Sequence, residues 1–517
     1  MHNSKNNPLA PLMMMSSTFA IAMTLVSCKG SEAPERIHYD NPFAETSKWY
    51  VNPIWAANAR ADGGEAIADQ SSAVWFTHTS DVKAYDGKEP KNGMGLRAHL
   101  DAALEQQADL FTFTMYNLPS KGCSTSFGNI TPMDYRPYIE FQANQENMNT
   151  YKKHFVDEIV SIVSEDKYAG ISIVAIIEPD TLALQVEHSQ QEACQNTAND
   201  KPWSYTEGIR YALTRFKEVE NIHSYVAAGS AAHLGWPEAL ELSSLYMKGV
   251  ISGFDGLKDV AQTIGTEFEK GDGGSGRYSD IGEVFVLSAG ETPAPGWDSI
   301  NGFITNTANY VPLEEPHLED IEPLENYELA PRTAYFYDWN PVFGELEYTK
   351  EWLEAMRSHG ADESHGMLID TSRNGWGGND RPSLDPEAEY IDMNEQVNAL
   401  RIDRREHRRN HCNQEGAGIG ERPQANPERY IDAYIWAKPP GESDGISERD
   451  FIPDPNYPIR KHVEICDPLG QNEFAESVES TADLDLGTSA MAGAPRYGEW
   501  FSYAFKQLLE NAEPPIE

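Results

Sequence analysis

Apolar residues along this chain fall into short, nearly unbroken runs, separated by stretches in which they recur every three or four positions. The runs LFTFTMYNL (110–118), ISIVAII (171–177), HSYVAAG (223–229), GFITNTANY (302–310), GMLIDTS (366–372) and YIDAYIWAK (430–438) predict strands. Their near-continuous hydrophobicity fits parallel strands covered on both faces. Between them, residues 94–108, 147–165, 204–220 and 350–359 carry the spacing of amphipathic helices. This alternation predicts an α/β fold, either a barrel or an open doubly wound sheet. No G-x-G-x-x-G or P-loop follows the early strands, which weakens the nucleotide-binding form of that architecture.

Some stretches break the rhythm. Residues 254–300, rich in Gly and acid, predict a surface insertion. Residues 373–429 and 439–495 carry Gly, Pro and charge with little periodicity, and each holds one late cysteine. A Cys412–Cys466 bridge would tie these loops together beside the strand at 430–438. Long loops fastened at one end of a barrel usually build a site. With no internal repeat or Pro/Ser/Thr-rich linker, residues 46–517 read as one catalytic domain after a tether at 28–45.

The start of the chain is a targeting segment. Lys5 precedes a mainly apolar run at 9–26, and residues 25–28 read LVSC. A short apolar stretch behind a weakly basic start predicts a secretory signal over 1–27 and not a spanning helix. LVSC resembles a bacterial lipobox, which makes Cys28 the expected lipidation site; ordinary cleavage nearby is the alternative. The protein is therefore expected to be exported, as an outer-membrane or cell-surface lipoprotein or else secreted. Setting Cys28 aside leaves Cys123, Cys194, Cys412 and Cys466, enough for two disulfides in an exported protein. No C-x-x-C spacing suggests zinc, and no metal or organic cofactor is expected.

Charge narrows the partners. Lys and Arg total 40 against 82 Asp and Glu, a net −42. Phosphate binding needs clustered cations, so nucleic acid is excluded and a membrane is expected only through the lipid anchor. A neutral polysaccharide makes no such demand. A monomer is the default expectation.

The candidate chemistry lies at strand ends. In an α/β barrel, functional groups project from the C-terminal ends of strands. Glu178 and Asp180 directly follow ISIVAII, and Asp444 follows YIDAYIWAK in the loop KPPGESDG. Two carboxylates from different strands are what glycosidic hydrolysis requires. Glu178 reads as a buried structural acid. Asp180 reads equally as a helix N-cap and as a catalyst, and Asp444 as a catalyst or a turn residue. Sugar rings stack their C–H faces on indoles and offer hydroxyls to polar forks. Trp75, Trp236 and Trp376, with Asn309, Arg373, Lys438 and Glu442, supply both, whereas Trp436 lies mid-strand and reads as core.

IIEPDTLA (176–183) closely resembles the signature of glycoside hydrolase family 6, the inverting cellulases. The likeness continues through YVNPIWAANARADGG (50–64), MGLRAHLDAAL (94–104), MYNLPSKGC (115–123), GFITNTANY (302–310), GMLIDTSRNGWGG (366–378), CNQEGAGIGERP (412–423) and IDAYIWAKPPGESDG (431–445). It is strongest to bacterial exo-acting cellobiohydrolases. The resemblance implies a distorted, incompletely closed parallel β/α barrel whose long loops roof the active site. It implies Asp180 as general acid, Asp444 as base, directly or through water, and Tyr116 beneath the distorted sugar ring. It implies Trp75, Asn309, Lys438 and Glu442 as substrate-binding residues, and the pairings Cys123–Cys194 and Cys412–Cys466. The function it implies is an inverting β-1,4-glucanase releasing cellobiose from chain ends.

The sequence also departs from the family pattern. Lys121-Gly122-Cys123 stands where the family reads Arg-Asp-Cys, and Ala227 replaces another acid. Ser230, His233 and His411 replace a His and two Trp, Thr77 replaces an Asp, and the segment 124–146, expected to roof the cleavage point, is rewritten. Loss of a neighbouring carboxylate predicts a lower pKa for Asp180 and a downward-shifted pH optimum. These losses also support an alternative, a lipid-anchored glucan-binding protein with impaired catalysis. A third reading is an enzyme acting on a different β-glucan.

Overall fold

All six expected runs become strands, and two short strands join them. They are β1 (Val74–Phe76), β2 (Leu110–Met115), β3 (Ser172–Ile177), β4 (Ile222–Ala227), β5 (Gly302–Thr305), β6 (Gly366–Asp370), β7 (Gln424–Ala425) and β8 (Ile431–Ile435). This computed structural model describes residues 41–43, 47–123, 143–189, 192–198, 201–268, 292–318, 331–385, 387–447, 464–470 and 486–517. Cys28, the signal segment and roof residues 124–142 lie outside them.

The strands form one sheet in the order β1-β2-β3-β4-β5-β6-β8-β7, parallel throughout except for β7 against β8. β1 and β8 share no ladder. Instead the Ala73 amide donates to the Trp436 carbonyl at 2.9 Å, and the Trp75 indole donates to the Ala437 carbonyl at 2.6 Å. The result is an incompletely closed barrel.

Alternation along each strand divides the core. Ile173, Ala175 and Ile177 of β3 join Phe111, Phe113 and Met115 of β2 in packing against the helices. Val174 and Ile176 point the other way, into a cluster with Tyr225, Ile304, Leu368 and Ile435. Burial on both faces explains why the runs lack polar interruptions. Two glycines permit the closest strand approach. A Cβ on Gly302 would stand 1.9 Å from the Gly366 carbonyl, and one on Gly366 would stand 2.0 Å from the Asp432 carboxylate.

The helices that matter for the site are α1 (Pro53–Ala61), α2 (Leu96–Gln106), α3 (Thr181–Glu187), α4 (Tyr205–Phe216), α5 (Pro237–Ser252), α6 (Glu345–Ser358) and α7 (Ser502–Glu510). Local signals place several ends. The Asn52 side chain caps α1 through the Ile54 amide at 3.1 Å, with Pro53 in the first turn, and Ser204 caps α4 through the Glu207 amide at 3.2 Å. The helix expected at 147–165 occurs as Gln145–Thr150, a π-helical Tyr151–Val156 and Asp157–Val163.

One expectation is corrected. The stretch 254–300 is not wholly a surface insertion, because the helix Leu257–Phe268 buries Leu257, Ala261 and Ile264 in the main core. Both disulfides are present: Cys123–Cys194 and Cys412–Cys466, with Cα separations of 4.7 and 5.1 Å. Among the described residues, no helix is long and apolar enough to cross a membrane.

Candidate active site

The turn after β3 sets the site. Glu178 and Asp180 both adopt left-handed backbone conformations, with φ of 44° and 66°. Such conformations cost non-glycine residues of order 1 kcal/mol or more and persist where the surroundings hold them. The Glu178 carboxylate accepts the Asn117 and Leu118 amides at 3.0 and 3.2 Å, tying β3 to the chain leaving β2. Burial pushes its pKa up to about 7 against the pull of those bonds. It is the structural acid the sequence suggested.

Asp180 behaves differently. It occupies the N-cap position of α3, and its carbonyl accepts the Leu184 amide at 2.8 Å, but its side chain makes no capping hydrogen bond. Asp180 instead lines a cavity together with Trp75, Tyr116 and Asn309. Burial, and then the negative charge of Glu187, push its pKa up to about 7. The sequence predicted a downward shift from the loss of an acid at Gly122. The rise above the free-carboxyl value has two sources that reading did not weigh, desolvation and the nearby carboxylate of Glu187.

Asp444 reaches the same cavity from the loop after β8. Its Oδ2 accepts the Arg373 guanidinium at 2.6 Å, the Tyr310 hydroxyl at 2.9 Å and the Asn413 amide at 2.9 Å. Lys438 Nζ stands 3.8 Å from Oδ1. Burial would raise this carboxyl, but Arg373, then Lys438 and these hydrogen bonds, outweigh it and hold the pKa below the usual carboxylate range. One cavity thus presents a carboxyl whose surroundings favour its protonated form and another whose surroundings favour ionisation. Such a pair can donate one proton and accept another.

Aromatic rings complete the walls. Trp75 meets Tyr116 edge-on at 6.0 Å and Tyr497 at 6.3 Å. Lys438 Nζ lies 4.4 Å from the centre of the Tyr497 ring, and Lys121 Nζ lies 4.6 Å from that of Tyr116. Asn309 also lines the cavity, its Oδ1 accepting Arg405 at 3.0 Å.

The cavity therefore gathers Trp75, Tyr116, Asp180, Asn309 and Asp444 from the residues singled out by sequence. The others sit elsewhere. Trp376 is fully buried, its indole donating to the Tyr310 carbonyl at 2.6 Å, and it packs in the cluster containing Trp55 and Trp436. Trp236 is 8% exposed, with its indole on the Asp338 carbonyl at 2.7 Å and the Arg409 guanidinium over its ring. Neither is a free stacking platform; each ring is covered and each N–H is satisfied. Arg373 and Lys438 contact Asp444 and are not among the residues lining the cavity, though Lys438 Nζ lies over the ring of Tyr497, which does line it. Glu442 belongs to a loop bridged to Trp500 and borders a separate small pocket with Tyr310 and Arg373.

Sequence reasoning missed Glu187, Tyr497 and Tyr310. Glu187 was detectable in principle, lying seven residues beyond Asp180 on the same helical face. Tyr310 directly follows Asn309. Tyr497 gave no local signal. Among the described residues, no group of three or more His, Cys, Asp or Glu is arranged to hold a metal ion.

The model for glycosyl hydrolases family 6 matches residues 35–260 and 286–456. The chain belongs to glycosyl hydrolase family 6. Its similarity to exoglucanase A of Cellulomonas fimi is 33% identity over 96% of this chain and 51% of that protein, so the chain spans about half the length of that relative. It is 26% identical to a 1,4-β-D-glucan cellobiohydrolase C of Emericella nidulans, over 92% of this chain and 79% of the other. Among solved structures, the catalytic domain of Cellulomonas fimi Cel6B matches with a TM-score of 0.73 and 31% identity, covering 94% of this chain and 97% of that domain. The family 6 relationship extends over the strands and turns that carry Asp180 and Asp444.

Proposed function

We propose that this family 6 protein is an inverting β-1,4-glucanase, exo-acting on cellulose-like chains, with Asp180 as general acid and Asp444 as base. One observation carries the reading: Asp180 and Asp444 line one cavity, and their surroundings push their pKa values in opposite directions. Relatives named as exoglucanases and cellobiohydrolases support the substrate class.

The glucan ring at the point of cleavage lies over Tyr116, with Trp75 against a neighbouring sugar face. Asp180 gives its proton to the glycosidic oxygen as the C–O bond breaks. Water attacks the anomeric carbon from the opposite face and passes its proton to Asp444, directly or through a second water. Inversion of a β-linked sugar yields an α product. Arg373, Lys438 and Tyr310 keep Asp444 ionised and in place. The chain is exported and acts as a monomer, with Cys28 as the site of a lipid anchor.

The alternative of a binding protein without turnover rests on the acids lost at Gly122 and Ala227. The test is a panel of cellulose, soluble β-1,4-glucan and β-1,3-glucan with the mature protein and Asp180→Asn. Sugar release from β-1,4 substrates that disappears in the variant supports the proposal. Tight binding of cello-oligosaccharides without release would establish the binding protein instead.

A further inference from the structure

Glu187 closes α3 two helical turns beyond Asp180 and lines the same cavity. At 3.6 residues per turn, a seven-residue step returns to the same helical face. The Glu187 carboxylate is buried, with Oε2 3.1 Å from His233 Nδ1 and Oε1 3.5 Å from the Arg409 guanidinium. His188 approaches Oε2 at 3.8 Å. His233 comes from the turn Ala231–Leu234 after β4, and Arg409 from the loop leading to Cys412. Among the described residues, the other titratable or charged groups around this cluster are Asp180 at the N-cap of the same helix, His407, His411, Arg405 and Arg408 on the late loop, and Asp444 across the cavity.

The two carboxyls on α3 differ in their partners. Glu187 has a histidine and an arginine against it, whereas among the described residues no cation pairs with Asp180. Two carboxyls lining one desolvated cavity repel when both are ionised, so the better-partnered one takes the charge and its field favours the protonated form of the other. Burial would raise Glu187, but His233, Arg409 and His188 outweigh it and hold its pKa far below the usual carboxylate range. Its charge adds to the burial that raises Asp180. The segment Lys121-Gly122-Cys123, by contrast, offers no acid.

We propose that Glu187 is a positioning residue of the hydrolytic site: its carboxylate, fixed by His233 and Arg409, supplies the negative charge that keeps the proton on Asp180 until the glycosidic oxygen takes it. The inference rests on the reading of Asp180 as the acid. It explains how the site retains a protonated acid after losing the carboxylate expected at Gly122. It also gives α3 a catalytic reason to end in a buried acid.

The test reads the Asp180 proton directly. Full-length protein labelled with ¹³C-carboxyl aspartate is titrated by NMR, with the Asp180 resonance identified by its loss in Asp180→Asn. Glu187→Gln should move the Asp180 midpoint down by about one pH unit, a tenfold change in its protonation ratio. Glu187→Asp should restore most of the shift. Arg409→Gln should move the midpoint up, because the Glu187 charge then loses a compensating cation. That opposite sign keeps the test decisive even if Glu187→Gln does not fold. An unmoved midpoint in the folded variants overturns the inference, as does a downward shift in Arg409→Gln. Hydrolysis of cello-oligosaccharide by the unsubstituted protein is scored separately. Turnover with an unmoved midpoint sinks only the role of Glu187, whereas shifted midpoints without turnover sink the hydrolase reading and leave the coupling intact.

Discussion

The Arg373 guanidinium donates to Asp444 Oδ2 at 2.6 Å, and both side chains are almost wholly buried. The same arginine covers the Tyr310 ring, with its guanidinium carbon 4.2 Å from the ring centre, and that tyrosine hydroxyl donates to the same carboxylate oxygen. One oxygen of Asp444 is therefore fixed by the scaffold. The other faces Lys438 at 3.8 Å.

Breaking this pair should cost stability in a pH-dependent way. Asp444 has a folded pKa below its unfolded value, so its contribution is present above about pH 4 and is lost as pH falls through the folded value. Arg373→Gln leaves the buried carboxylate short of a partner, at an expected cost of about 3–5 kcal/mol at pH 7. The difference from wild type should shrink as Asp444 protonates. Urea unfolding between pH 3 and 7 checks both the magnitude and the convergence.

Asp180 carries the opposite sign. Its folded pKa is raised to about 7, so the folded state binds this proton more tightly than the unfolded chain does. Stability is then highest below the unfolded value near pH 4 and erodes as pH rises through about 7. Asp180→Asn removes that penalty. The variant should lose activity by a factor of about 10²–10⁴ or more, yet melt above wild type at pH 8, with the gap closing toward pH 4. Calorimetry at the two pH values decides the matter.

The late disulfide should couple stability to chemistry. Cys412 precedes Asn413, whose amide donates to Asp444 at 2.9 Å and whose Oδ1 accepts the Asp444 amide at 2.9 Å. Replacing Cys412 and Cys466 together with Ala should cost about 2–4 kcal/mol. It should also lower kcat more than it changes KM, because the loop no longer holds the Asn413 clasp. Thermal melts and steady-state kinetics on a soluble oligosaccharide test the two effects.

The barrel was legible because its strands are buried on both faces, so runs such as ISIVAII carry no competing polar period. The turn Glu178-Pro179-Asp180 was legible as a candidate site because its carboxylates interrupt such a run. Burial on several sides blurs other signals. α5 shows ten of its sixteen residues buried, which obscures the amphipathic stripe that would have marked it. β1 is only three residues long. Trp236 and Trp376 illustrate a different limit, since a tryptophan beside a strand end looks the same in sequence whether its face is open or covered. Glu187 lies in a seven-residue helix with every side chain buried, and only the approach of His233 and Arg409 from distant segments gives it meaning.

The most direct measurement is the anomeric form of the first product. Fresh digestion of cellohexaose, followed by proton NMR before mutarotation, should show the new reducing end in the α configuration for the native protein, with product formation by Asp180→Asn reduced by a factor of about 10² or more. A β product, or unchanged turnover in that variant, would contradict an inverting site in which Asp180 donates the proton and Asp444 receives one.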